Sequence, residues 1–339
     1  MVAFIVRRLL AAILLVLVIA FVTYAIFFLV PQVAGLTPYD LAARYVGKTA
    51  NPATIHARMV KLHLNEPFIV QYFDFIRDLV FGAHYDAGAE QNYCPPPCFG
   101  YSFVYQTPVW PQLASRIPVT LELAAGASVL WLVGGVTIGV ISALRRGRPV
   151  DRVSMGIALA GVSLPVFFTA ILSQSQIRDR FHIFTGAGGQ WVPMHADPMQ
   201  WLSNMILPWL TLAFLQAALY ARLTRAGMLE TMGEDYIRTA RAKGLPERTV
   251  IARHALRATM VPIITIFGLD LGTLLGGAVL TETAWTLPGL GQYAILSIGD
   301  NDLPAVLGVV MVGAIFIVVA NLVVDILYAV ADPRVRLAN

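Results

Sequence analysis

The sequence predicts an all-α integral membrane protein that crosses the bilayer six times, with both termini in the cytoplasm. Three observations carry that expectation. The 339 residues are 57% hydrophobic and only 13% charged, too apolar a mixture to hide in one aqueous core. Six runs, at about residues 9–30, 118–144, 153–176, 205–226, 258–280 and 305–331, each reach the roughly 20 residues that a hydrocarbon layer requires. Sixteen of the 24 Lys and Arg fall on the segments that this topology leaves inside, as the positive-inside rule demands. The net charge of +4 therefore reports topology and does not call for a nucleic-acid partner.

The elements follow in order. The first run comes after Arg7 and Arg8 and is too long for the apolar region of a signal peptide, so it reads as an uncleaved span. Residues 31–117 form a large outer segment. Within it, "NPATIHARMVKLHLNEP" predicts a short helix opened by Asn51 and Pro52 and closed before Pro67. "FIVQYFDFIRDLVFG" follows, with Phe68, Ile69, Tyr72, Phe73, Ile76, Leu79 and Val80 at helical spacing. It predicts an amphipathic helix that lies on the membrane surface or caps the bundle, or a plain covering loop.

"YDAGAEQNYCPPPCFG" reads as a loop and holds both cysteines, Cys94 and Cys98. An outer location favours a disulfide. Three prolines in polyproline II, however, hold the Cα atoms about 12 Å apart, and a disulfide needs about 4.4–6.8 Å. Pairing thus requires a cis proline or a sharp turn. Two free thiols, or a metal site for which two thiols make a poor cage, remain the alternatives.

The cytoplasmic connection between the fourth and fifth runs contains "EDYIRTARAKGLPERTVIARHALRATMVP", residues 234–262. Leu229, Met232, Tyr236, Ile237 and Ala240 fall on one helical stripe, and the opposite face is charged. "GLP" breaks the helix at Gly244 and Leu245, and Pro246 with Glu247 begins another. A basic pair of helices invites a DNA-binding reading, but the segment is tied at both ends to membrane spans. A loop that merely solvates charge has no use for an apolar stripe, so docking into a groove on a cytoplasmic partner is the stronger reading. No phosphate loop, HExxH, GxSxG or paired-CxxC pattern occurs, and the six histidines are scattered. No catalytic residue and no metal site are predicted.

This stretch resembles the EAA-type coupling loop of ABC importer permeases, specifically the dipeptide/oligopeptide/nickel permease family and its B-type subunit. Further resemblances run along the chain: "FIVRRLL", "LHLNEPFIVQY", "IPVTLEL", "SLPVFF", "MILPWLTL", "LTRAGMLE", "LGTLLGGAVLTET", "LPGLGQY" and "NLVVDILYAVADPRVR". The resemblance implies a type I ABC importer permease fold in the cytoplasmic membrane of a bacterium or archaeon. It implies a peptide importer in which a second, C-type permease, two ATPases and an extracytoplasmic peptide-binding protein are partners. ATP and Mg would bind the ATPases, and this chain would carry no cofactor. Met232, Glu234, Tyr236, Ile237, Arg238, Thr239, Ala240 and Gly244 would be the ATPase-coupling residues. The implied division is a first helix (1–30), the outer segment (31–117), a five-helix core (118–332) with the coupling loop at 229–257, and a tail (333–339). Nickel chelates, glutathione or opine-like solutes are alternative cargo, and an ion-coupled secondary transporter is an alternative class.

The chain departs from the family pattern in places. E-A-A-x-x-x-G falls on Arg238, Thr239, Ala240 and Gly244, so arginine replaces the glutamate, and I-x-L-P falls on His254, Leu256 and Arg257. A longer cysteine-bearing insert also replaces a short G-D-L-G-like segment near residues 82–100.

The translocation pathway has four candidate residues: Ser163, Asp270, Gly272 and Gly276. Gly268, Gly272 and Gly276 recur every four residues on the fifth span, which suits either close helix packing or a smooth pathway wall. Asp270, mid-span, lines the pathway against a peptide amino group or bonds a structural partner. Asp325 suits an internal ion pair, and Glu122 reaches the interface. Ser163 and Pro165 in "GVSLPVFF" loosen the third span by freeing a backbone carbonyl. "TETAWTLPGLGQY" is expected at the outer mouth, with Trp285 as an interfacial anchor.

Overall fold

The computed structural model describes residues 2–46, 51–61, 64–86, 91–102, 104–275 and 278–331. The first span is α1 (Val2–Tyr24), which passes through a π-helical turn (Ala25–Leu29) into α2 (Val30–Val33). The outer segment contains α3 (Pro38–Val46), α4 (Pro52–Lys61) and α5 (Phe68–Phe81). An antiparallel hairpin follows, β1 (Ala83–Asp86) with β2 (Gln91–Cys94), and then a two-residue ladder, β3 (Tyr101–Ser102) with β4 (Thr107–Pro108). The remaining helices are α6 (Val109–Leu144), α7 (Pro149–Ser163), α8 (Val166–Ser173), α9 (Pro198–Thr231), α10 (Asp235–Ala242), α11 (Glu247–Thr249), α12 (Leu256–Leu275), α13 (Val279–Ala284), α14 (Leu290–Gly299) and α15 (Leu303–Ala331).

Among the described residues five helices are long and apolar enough to cross a membrane, and a sixth span exists if α7 and the helix after it count as one. That sixth is not a continuous rod. The chain bends by 108° between Ser163 and Val166, where Leu164 is extended (φ −92°, ψ 131°). A residue before proline is pushed out of the α region, so "SLP" breaks the span where the sequence suggested only a loosening. Span α6 begins nine residues before its expected start and keeps Pro118 inside. Its first turns carry Gln112, Ser115 and Arg116, which no apolar run includes, yet Val109 and Leu113 are buried. The second short helix expected after Gly244 is the foot of the fifth span: α11 and a π-helical turn (Val250–Ala255) lead directly into α12.

The chain divides into two compact units, residues 1–120, 275–279 and 288–322 in one and residues 121–274, 280–287 and 323–339 in the other. In the first unit Ala20, Tyr24 and Phe28 share a core with Leu41, Leu113, Leu307 and Met311. The apolar residues of α5 split into two sets. Phe68, Tyr72, Ile76 and Leu79 pack on that core, with Tyr72 Oη donating to the Leu17 carbonyl at 3.1 Å, whereas Ile69, Phe73 and Val80 are exposed. Part of the loop expected over residues 85–100 is instead strand, Tyr85–Asp86 in β1 and Gln91–Cys94 in β2, in register Ala83 with Cys94 and His84 with Tyr93. Cys94 and Cys98 are bonded, their Cα atoms 5.6 Å apart, with a cis peptide between Pro96 and Pro97, and both are buried. Gly82 at φ +82° is required before the hairpin, because a Cβ there would lie 2.7 Å from the Cys94 carbonyl oxygen. Asp302 caps α15 and accepts from the Ser102 hydroxyl. Burial pushes its carboxyl above the usual range, and the Ser102 and Ala305 donors pull against that shift.

In the second unit α6 and α9 approach closely over three glycines. A Cβ at Gly126 would overlap the Trp209 ring, one at Gly135 would lie 2.6 Å from Tyr220 Cβ, and one at Gly139 2.5 Å from Thr224 Cβ. Close packing over small residues, of the kind the sequence suggested on the fifth span, is present on the second. Glu122 is engaged inside this unit and does not simply reach the interface: Trp201 Nε1 donates to its carboxylate at 2.8 Å and Trp209 Nε1 to its carbonyl at 2.9 Å.

Candidate functional site

The cation-rich end of the second unit carries the site. Span α9 stops at Thr231 and a tight turn reverses the chain, with Met232 N–H donating to Met228 O and Gly233 N–H to Glu230 O. Glu234 is extended and precedes the eight residues of α10. Gly244 ends the helix at φ +75°, with nothing within 4 Å of a Cβ built there. Glycine is needed at that position for its left-handed backbone, not for space. Arg241 then reaches Glu247 on α11 with both Nε and Nη2, at 3.2 and 2.8 Å, and spans the break.

Eight residues do not make a stable helix in water, so α10 must be held by packing. Ile237 and Ala240 are buried against Ala143, Met228, Val250 and Ala255, and Met232 packs at the edge of the same cluster. This corrects the expectation drawn from the stripe. Met232, Ile237 and Ala240 seat α10 on its own chain, and only Tyr236, 46% exposed, still presents an apolar surface outward. The outward face is otherwise polar: Glu234, Asp235, Arg238, Thr239 and Lys243 are exposed. Arg238 meets Asp235 at 3.3 Å, but both side chains are largely in solvent, so the pair holds little.

Three of the four pathway candidates lie among the described residues. Ser163 is exposed and donates to the Leu159 carbonyl at 2.8 Å. Asp270 has a partner on its own chain, since Tyr220 Oη on α9 donates to its Oδ2 at 2.8 Å. Gly272 is buried. Gly276 and the side chain of Asp325 lie outside the described residues. Trp285 is fully buried, so it is core and not an interfacial anchor. Among the described residues no three His, Cys, Asp or Glu gather as a metal cage.

One group had no sequence signal at all. Asp151, in the first turn of α7, is 4% exposed. It accepts from the Ser142 hydroxyl, from Gly147 N–H at 2.8 Å, and from Arg225 Nε and Nη2 at 2.7 and 2.9 Å. A lone aspartate in "RRGRPVDR" reads as one charge in a solvated turn, and nothing local announces a partner 74 residues away.

Among the described residues, five helices long and apolar enough to cross a membrane, six if the bent pair counts as one, with a short helix seated on the chain and facing outward at the cation-rich end, fit the permease of a membrane transporter. The fold is that of type I ABC importer permeases: a chain of the MetNI methionine ABC transporter, crystallised in inward-facing conformations, superimposes with a TM-score of 0.52 at 18% identity, over 66% of this chain and 97% of that one. Residues 135–337 match the family described as binding-protein-dependent transport system inner membrane component, and residues 1–124 match its N-terminal part. The chain belongs to that family and is a multi-pass protein of the inner membrane. It is 37% identical over 336 residues, 99% of each chain, to a Brucella abortus (strain 2308) protein described as a peptide transport system permease. It is 34% identical to the dipeptide transport system permease protein of Escherichia coli K12 (89% of this chain, 91% of that). The same identity holds with the dipeptide transport system permease protein of Alkalihalophilus pseudofirmus (99% and 100%).

Proposed function

We propose that this chain is the B-type permease subunit of an ATP-driven peptide importer. It pairs with a C-type permease, and two ATPases with their ATP and Mg stand on the cytoplasmic face. An extracytoplasmic binding protein delivers the peptide, and this chain contributes no catalysis of its own. The observation that carries the reading is α10, a helix seated by Ile237 and Ala240 and presenting Glu234, Tyr236, Arg238 and Thr239 outward. Relatives named as dipeptide transport permeases over nearly the whole chain support the cargo class.

Coupling works as a seated lever. Closure of the ATPases on nucleotide pushes the outer face of α10, and the buried face passes that push to the feet of α9 and α12. Gly244 lets the chain turn back at the end of the helix without strain. Co-purification tests the reading: the gently solubilised protein should retain an ATPase, and dipeptide uptake by the assembled complex should follow ATP. An ion gradient that drives uptake with no ATPase retained would defeat it. Gly244→Val, which forces a β-branched residue into a left-handed backbone at roughly 1–2 kcal/mol, should lower ATPase retention or uptake without loss of membrane insertion. Unchanged ATP-driven uptake would remove Gly244 from the coupling device.

A further inference from the structure

Three spans meet on the Asp151 carboxylate. Ser142 belongs to the last turn of α6, Gly147 to the turn between α6 and α7, and Arg225 to α9 less than two turns from its end. A two-pronged arginine–carboxylate contact fixes both the distance and the angle between the elements that carry it. A carboxylate this deeply buried is costly without its cation, so the contact holds while its surroundings move.

The node adjoins the seat of α10. Ala143 follows Ser142, and Met228 lies one turn beyond Arg225; these two are the buried α6 and α9 residues of the cluster that holds Ile237 and Ala240. Helix α7 is held to α9 at its far end too, where a Cβ at Gly161 would stand 2.9 Å from Ala218 Cβ and 3.2 Å from the Phe214 carbonyl oxygen. Just beyond Gly161 the chain breaks at Leu164 and Pro165 through 108°.

The geometry points to Asp151 as a positioning residue of energy coupling. It makes α7, the lower half of the third span, move as one body with α9 and α10, and so delivers a push on α10 to the bend at Leu164–Pro165. This rests on the coupling role proposed for α10. Without the node, α10 still moves the foot of α9, but the end of α7 beside α10 loses its anchor and lags, held only by the packing at Gly161, so too little of the push reaches the bend.

The test uses the complete importer with its ATPases in lipid vesicles, measuring ATP hydrolysis and uptake of a labelled dipeptide together. Asp151→Asn leaves the half-buried Arg225 without its anion, Arg225→Gln strands the buried Asp151 carboxylate, and each lowers thermal stability. The double variant Asp151→Asn/Arg225→Gln strands no charge and regains most of it. Uptake per ATP should stay at least about tenfold below wild type in that double variant, the scale of an ordinary coupling free energy. If uptake per ATP returns along with stability, Asp151 is only a brace and the proposal fails. Should the double variant not assemble, Arg225→Lys keeps the charge and loses the fork. Its uptake per ATP should fall about threefold, and a wild-type ratio overturns the proposal. Hydrogen exchange separates this proposal from the reading beneath it. In the wild-type complex ATP should change protection at 235–242 and 149–163 together, and in the double variant at 235–242 alone. An equal response at 149–163 in both sinks the role of Asp151, whereas no response at 235–242 in the wild type sinks the coupling role of α10.

Discussion

Gly139→Ala is the sharpest test of how the second unit is packed. A Cβ at Gly139 would lie 2.5 Å from Thr224 Cβ and 2.7 Å from the Ala221 carbonyl oxygen, whereas ordinary contact begins at 3.4 Å. The first gap is about 0.9 Å short, and neither neighbour can rotate away because one is backbone and the other is bonded to it. Spans α6 and α9 must therefore separate, and they are in equally close contact at Gly135. Overpacking of this kind costs about 1–3 kcal/mol. Gly134, its neighbour on the same helix, is the control: nothing lies within 4 Å of a Cβ there, so Gly134→Ala takes only the helix-propensity gain of up to about 1 kcal/mol. The two variants should differ by about 1–3 kcal/mol, on the order of 5- to 150-fold in the folded-to-unfolded ratio. Equilibrium unfolding in mixed micelles titrated with SDS and followed by far-UV circular dichroism reads this difference. A Gly139→Ala protein as stable as Gly134→Ala would refute the close approach.

Three further outcomes are expected. Denatured protein should take up alkylating reagent at Cys94 and Cys98 only after reduction, read as a mass increase of two adducts; labelling without reductant would exclude the bond. Asp302, whose raised carboxyl binds a proton more tightly folded than unfolded, contributes stability that is fully present below about pH 4, the unfolded value, and is lost as pH rises through the folded value. Melting curves should thus show the stability of wild type relative to Asp302→Asn falling as pH rises from 4 to 7, and a rising difference would contradict the burial. Tyr220→Phe removes a donor from the Asp270 carboxylate inside the second unit and should destabilise by about 1–3 kcal/mol; an unchanged unfolding curve would mean that the hydroxyl holds nothing there.

What was legible in the sequence is what a one-dimensional pattern can encode. Apolar runs locate spans, cations set their direction, and the Gly244 break with its preceding stripe marks α10, because each is written in consecutive residues. The start of α6 at Val109 was not legible: its polar residues hide a helix that tertiary burial of Val109 and Leu113 supports. The strands of the hairpin fall partly within the expected loop of residues 85–100, because four-residue strands flanked by glycine and proline carry almost no period. The stripe on α10 was correctly found as apolar, but an apolar face does not say whether its cover is a partner or the same chain. Met228, Val250 and Ala255 supply part of the cover from neighbouring chain, and Ala143 the rest from a helix that sequence spacing does not bring near. Asp151 and Gly139 are illegible for the same reason: their meaning lies in Arg225 and Thr224, each more than 70 residues away.

The core of the first unit has a consequence for biosynthesis. Tyr24 and Phe28 share that core with Leu307 and Met311, and roughly 280 residues of chain separate the two sets. At about 5–20 residues per second, the N-terminal span is made some 15 to 60 seconds before its C-terminal companion exists. In that interval the newborn first helix has α3, α5 and α6 of the same core beside it, and only the insertion machinery or lipid where Leu307 and Met311 will pack. Ribosomes stalled before α15 should therefore leave an outer segment that proteases cut readily, and completion of the last helix should abruptly protect it.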